Sequence, residues 1–170
     1  MTTLIALLRA VNVGGTGKLP MTQLKAMCDS AGFASVRTYI ASGNVVFDSP
    51  LSEATVKATL EQALAAYAGK RVHVLVRSAS DMAEVLNANP FPDAAPSHTV
   101  AFFLDRAATP ADCANVRHQQ DEQLVPGRRE LYVQYPGGMG KSRLVIGAAD
   151  EGTARNMNTI ARLVDMAHGR

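Results

Sequence analysis

The run Leu4 to Val11 is apolar apart from Arg9, and it ends in the glycine-rich bend Gly14-Gly15-Thr16-Gly17-Lys18 before Pro20-Met21 opens a helix. A strand that turns through glycines into a helix leaves unpaired backbone N–H groups at the junction. Arg9, Asn12 and Lys18 flank that bend, a combination that suits an anion. The same junction sets the order of the next elements along the chain. The helix runs from Pro20 to Ala31, with Gly32 as its stop. Val36 to Ala41 and Val45 to Phe47 then read as two strands around the tight turn Ser42-Gly43-Asn44. Ser52 caps a helix to Ala68 whose inner stripe is Val56, Leu60, Ala63, Leu64 and Tyr67. Arg71 to Arg77 alternates as a strand, with Val72, Val74 and Val76 on one face and Arg71, His73, Leu75 and Arg77 on the other. The order βαββαβ is that of the ferredoxin-like unit.

The rest of the chain reads in a similar order. A short helix covers Ala79 to Ala88, with Ser78 as its cap, and the Pro- and Ala-rich stretch to Pro96 reads as a linker. Thr99 to Leu104 is a strand, and Thr109-Pro110 opens a helix to His118. Glu122 to Val125 and Leu131 to Tyr135 pair across Pro126-Gly127-Arg128. A last helix, Ala154 to Ala167, takes Thr153 as its cap. The second half can thus be written βαββα. The expected fold is α+β: two ferredoxin-like halves packed together, residues 1–78 and 98–170, joined by a connecting helix and linker at 79–97.

Hydrophobic residues make up 47% of the 170 and charged residues 19%, a globular balance with enough material for a core. A net charge of +2 is too small to argue for nucleic acid, which calls for a clustered basic face. The central strands offer only Tyr39 and Phe47 as aromatic stacking platforms, so an RNA-binding version of the fold is disfavoured. Leu4 to Leu8 is too short for a leader, and no later run approaches membrane-spanning length. A cytoplasmic location, with no membrane association, is the expectation. Cys28 shares a helical stripe with Leu24, Met27 and Ala31 and reads as a buried, reduced thiol; Cys113 has no motif spacing either.

Neither glycine-lysine loop satisfies the nucleoside-triphosphate motif, which needs four residues between its first glycine and the Gly-Lys pair. Counting back from Gly17-Lys18 gives Asn12, and from Gly140-Lys141 gives Tyr135. A looser anion site around Arg9, Asn12, Gly14, Gly15 and Lys18 survives; a plain turn with a solvated Lys18 accounts for the same residues. In the last helix Met157, Ile160, Ala161 and Val164 form the apolar stripe, while Arg155, Asn158, Thr159 and Arg162 fall opposite. Asparagine is a poor helix former, so Asn156 and Asn158 serve either as caps and loop tethers or as ligand groups. His73, His98, His118 and His168 are scattered without metal-ligand spacing, and Ser42-Gly43 lacks the flanking glycines of a hydrolase elbow. No metal, cofactor or catalytic constellation is expected.

The segments Leu7 to Gly15, Lys18 with Pro20-Met21, Val36 to Ile40, Ser42 to Phe47, Asn89-Pro90-Phe91, Lys141-Ser142 and Thr153 to Thr159 together make the chain resemble the bacterial family catalogued as domain of unknown function 1697. Ala10 stands where that family usually has glycine, and Met157 where it usually has tryptophan. The latter departure marks a packing position rather than a stacking platform. The resemblance implies a two-part α+β fold and no activity.

The polar residues that match the family's motifs gather at strand ends, turns and helix starts, where sites are usually built. The expectation is that Arg9, Asn12, Gly14, Gly15, Lys18, Ser42, Asn44, Lys141, Ser142, Arg155, Asn156 and Asn158 converge on one cleft between the halves. That cleft would bind a small phosphate- or carboxylate-bearing ligand, nucleotides included. An enzyme acting on a phosphorylated small molecule, or a non-catalytic structural or nucleic-acid-interacting protein, are the alternatives. The oligomeric state is open.

Overall fold

The computed structural model of the protein describes residues 1–13 and 18–169, and Gly14 and Gly15 lie outside the described residues. The chain forms two compact units, Met1–Met82 with Leu163–Arg170, and Ala83–Arg162. It is a mixed α and β protein with antiparallel sheets and, among the described residues, five α-helices.

The first unit contains β1 (Thr2–Leu8), α1 (Met21–Ser30), β2 (Ala34–Tyr39), β3 (Asn44–Ser49), α2 (Glu53–Ala68) and β4 (Val74–Ser78), followed by α3 (Ala79–Asn87). Its four strands pair antiparallel in the order β2-β3-β1-β4. Strand β1 is central and buried from Leu4 through Leu8. Burial on both faces explains why it reads as an unbroken apolar run instead of an alternation. On one face Leu4, Ala6 and Leu8 pack with Leu24 and Cys28 of α1 and with Val56, Leu60 and Leu64 of α2. Burial pushes the Cys28 thiol up to about 12, so it is inert packing. The Ser52 hydroxyl accepts from the Thr55 N–H, and the Ser78 hydroxyl from the Asp81 N–H, as the capping pattern predicts.

Both edges of this sheet are covered by side chains. Lys57 Nζ donates to the Val74 carbonyl at 2.7 Å, and the Val74 N–H donates to Glu61 Oε2 at 2.9 Å. The two α2 side chains, themselves paired at 2.6 Å, thereby occupy the backbone groups of Val74, at the start of edge strand β4. At the opposite edge the β2–β3 register shifts between Ala34 and Arg37, and the Arg37 guanidinium donates to the Met166 carbonyl. A bulge and a charged side chain are devices that keep an edge from pairing with another chain.

The second unit contains β5 (Thr99–Phe103), α4 (Pro110–Ala114), β6 (Val116–Arg117), β7 (Gln123–Pro126), β8 (Glu130–Gln134), β9 (Val145–Ile146) and β10 (Thr153–Asn156), with α5 (Met157–Ala167) leading onward. The sheet order is β10-β5-β8-β7, and β6 pairs separately with β9. The hairpin across Pro126-Gly127-Arg128 is present, with Pro126 opposite Leu131.

Several sequence-based boundaries are corrected. Thr153 does not cap the last helix: Thr153–Asn156 is a strand whose residues pair with Phe103 through Val100. The helix starts at Met157, and Asn156 Oδ1 accepts from the Thr159 N–H at 2.9 Å. Asn156 is therefore at the start of the helix, where asparagine is favoured. The helix opened by Thr109-Pro110 stops at Ala114 instead of His118, because Val116-Arg117 pairs with Ile146 and Val145. The second unit accordingly has more strands than βαββα.

In the first unit β1 ends at Leu8, short of Val11, since Ala10 and Asn12 both turn to φ +55°. Strand β4 begins at Val74 instead of Arg71. Tyr67, placed on the inner stripe of α2, is 46% exposed, and Arg77 is buried. Among the described residues no helix is long and apolar enough to cross a membrane.

Candidate functional site

The antiparallel pairing of β1 with β4 sets Leu8 opposite Val74, and the Arg9 N–H donates to the His73 carbonyl at 2.9 Å. The segment leaving β1 and the segment entering β4 must therefore meet at one end of the sheet. There they enclose a cavity of about 270 Å³. Its apolar lining comes from Val11, Leu19, Leu64 and Val72, each at most 7% exposed. Lys18, Lys70 and Tyr67 complete the wall, and all three are exposed. Lys18 was legible from the glycine-rich bend. Lys70 and Tyr67 were missed as site residues, although the β1–β4 pairing carries the signal: it returns the end of α2 to the bend after β1.

Asn12 ties the exit of β1 to Leu19 and to Ala41. Its Nδ2 donates to the Leu19 and Ala41 carbonyls, both at 2.8 Å, and its Oδ1 accepts from the Leu19 N–H at 2.7 Å. Both ends of the amide thus bond to backbone, at Leu19 next to Lys18 and at Ala41. Positive φ at residue 12 also suits asparagine better than most residues. The φ of +55° at Ala10 gives a conformational reason for the glycine that the resemblance leads one to expect there. Asn12→Ala is expected to destabilise the protein by about 2 kcal/mol, from lost hydrogen bonds and a less tolerant left-handed residue. Urea denaturation reads this directly; an unchanged midpoint would show that the amide is not a structural tether.

Ser42, Gly43 and Asn44 sit beside the same junction. Asn44 is fully buried, and its Nδ2 donates to the Tyr39 carbonyl and to Ser42 Oγ, both at 2.9 Å. The Gly43 carbonyl accepts from the Leu8 N–H at 2.9 Å. Asn12 and the Ser42-to-Asn44 turn are thus brought together through Ala41 and Leu8, with their amides engaged on backbone. Lys18 alone of the sequence-derived residues lines the cavity among the described residues.

In the second unit, Ser142 donates to Glu122 Oε2 and accepts from the Leu144 N–H, pinning the loop that carries Lys141. Lys141 is exposed. Arg155 is 7% exposed and donates to Thr153 Oγ1 and the Ala154 carbonyl. Burial lowers its pKa to about 10, which leaves it charged at neutral pH. Asn156 starts α5 as described, Asn158 is exposed, and Met157 is buried, a packing position. Among the described residues no group of three or more His, Cys, Asp or Glu side chains is arranged to hold a metal ion.

The model of the family described as protein of unknown function (DUF1697) matches residues 1–132. The chain belongs to the DUF1697 family. A solved structure titled as that of the conserved bacterial protein SP0830 from Streptococcus pneumoniae has a TM-score of 0.75 to this DUF1697 chain. The two are 22% identical, and the alignment covers 98% of each chain. That likeness concerns the fold. No functionally curated protein matches this DUF1697 chain.

Proposed function

We propose that this DUF1697 protein binds a small anionic ligand, bearing phosphate or carboxylate, in the cavity at the β1–β4 end of its first unit. The observation that carries this reading is the presence of two ammonium groups, Lys18 and Lys70, on the wall of one cavity with an apolar floor. Concave sites of this kind, mostly apolar with a few polar groups that fix orientation, are where small molecules bind. Asn12 and the Ser42-to-Asn44 turn act as the frame that holds Lys18 over the floor. The reading includes a cytoplasmic location. It also takes the first unit as ferredoxin-like, supported by its βαββαβ order and its β2-β3-β1-β4 antiparallel sheet; the second unit is a more elaborate relative of the same plan.

The test is a titration with methyl phosphate followed by NMR. Saturable shifts at Lys18, Leu19 and Lys70 are expected. Lys18→Ala and Lys70→Ala should each weaken binding about fivefold, since an exposed charge pair contributes up to about 1 kcal/mol. Raising salt should weaken binding further, because both charges are solvated. Absence of shifts at these residues with methyl phosphate and with acetate would refute the proposal.

A further inference from the structure

The floor of the cavity is more apolar than a simple anion needs. Val11, Leu19, Leu64 and Val72 present hydrocarbon to its interior, and a free phosphate or a short carboxylate gains nothing from them. Tyr67 is the second unusual feature. It follows Leu64 by three positions on α2, continuing the stripe of Val56, Leu60 and Leu64, which are at most 1% exposed. Tyr67 is nevertheless 46% exposed, because the stripe runs past the end of the core and into the cavity wall. An aromatic ring held on a folded helix beside an apolar floor is a ready surface for another ring, in offset or edge-to-face contact. Size sets a limit as well. A cavity of about 270 Å³ lies at the small end of those that hold ligands, which run from about 300 to 1,000 Å³.

Resting on the anion-binding reading above, we propose that the ligand is a compact aromatic anion: one ring system, covered by Tyr67 and the floor, carrying a single phosphate or carboxylate that faces Lys18 and Lys70. The two solvated lysines attract any anion weakly, whereas the ring supplies area that a simple anion lacks. Selection among anions therefore falls to Tyr67 and the floor.

The experiment compares phenyl phosphate with methyl phosphate, and benzoate with acetate, by NMR titration of the full chain. At least one aromatic member should bind tenfold or more tightly than its aliphatic counterpart. Tyr67→Ala should remove that preference, while Tyr67→Phe keeps it. Tyr67 is exposed, so the variants should fold; their amide spectra check this. Equal affinities within both pairs, or a preference that survives Tyr67→Ala, would overturn the aromatic inference while leaving anion binding intact. If neither methyl phosphate nor acetate binds, the anion-binding reading falls, and this inference with it.

Discussion

Gly152→Ala should cost the second unit about 3 kcal/mol or more. A Cβ at residue 152 would stand 1.9 Å from the Phe103 carbonyl oxygen and 3.0 Å from its carbon. The obstacle is backbone, and it belongs to β5, the strand on which β10 pairs. Thr153, the next residue, lies directly opposite Phe103. The methyl can therefore be accommodated only by drawing the start of β10 away from β5. Overpacked cores typically lose about 1–3 kcal/mol when side chains can yield, and here a paired strand must move instead. The conformation itself is extended, with φ −151°, so close approach is the whole cause. Gly137→Ala is the control, since its Cβ would meet nothing within 4 Å. Urea denaturation of the two variants should separate them clearly. A Gly152→Ala protein as stable as wild type would mean that β10 does not sit against β5 at this point.

Legibility in the sequence followed the length and regularity of each element. α2 was readable because an apolar stripe and a serine cap agree with one another, although Tyr67 at its end proved exposed. The apolar run of β1 and the glycine between β2 and β3 were plain as well, although β1 ends three residues before the run does. β10 was not, and the reason is physical. Four residues are too few to establish an alternation, and the apolar stripe of α5 extends backward through Ala154 at helical spacing. The deciding residue was Asn156. Counted inside a helix it is a cost, but counted as the residue that accepts from the Thr159 N–H it is the best available start signal. The early end of α4 was hidden because Val116-Arg117 owes its strand form to Val145-Ile146, a partner far along the chain. No local pattern reports such pairing.

The site divides in the same way. Lys18 was legible because glycine, lysine and proline in close succession mark a strand-to-helix bend. Asn12 and Asn44 were legible as special but not as tethers; only the positions of the Leu19, Ala41 and Tyr39 backbone reveal where their amides go. Lys70 and Tyr67 have no motif of their own. They enter the cavity through the register of β1 on β4, and a charged residue past a helix end otherwise reads as ordinary solvated surface. Arg77 gave no warning either: its strand alternates, and alternation alone does not say that both faces are buried.

Gly43→Ala is expected to lower the stability of the first unit by about 2–5 kcal/mol and, through the same contact, to weaken anion binding. Two effects add. At φ +91° an alanine is forced into backbone space that L-residues avoid, at about 1–2 kcal/mol. Its Cβ would also lie 2.8 Å from Val11 Cγ2 and 2.9 Å from Leu8 Cβ, an overpacking cost of about 1–3 kcal/mol. Leu8 cannot withdraw, because its N–H is bonded to the Gly43 carbonyl. Val11 can, and it lies in the floor of the cavity, so relief of the clash displaces a wall of the site. The turn between β2 and β3 thus fixes the shape of a cavity it does not line. Urea denaturation measures the first effect, and titration with methyl phosphate under folding conditions measures the second. Adding Val11→Ala to Gly43→Ala should recover part of the stability, because the pair shares one contact and their effects cannot be additive. Full additivity of the two substitutions would mean that Gly43 and Val11 do not touch, and the turn would then have no hold on the site.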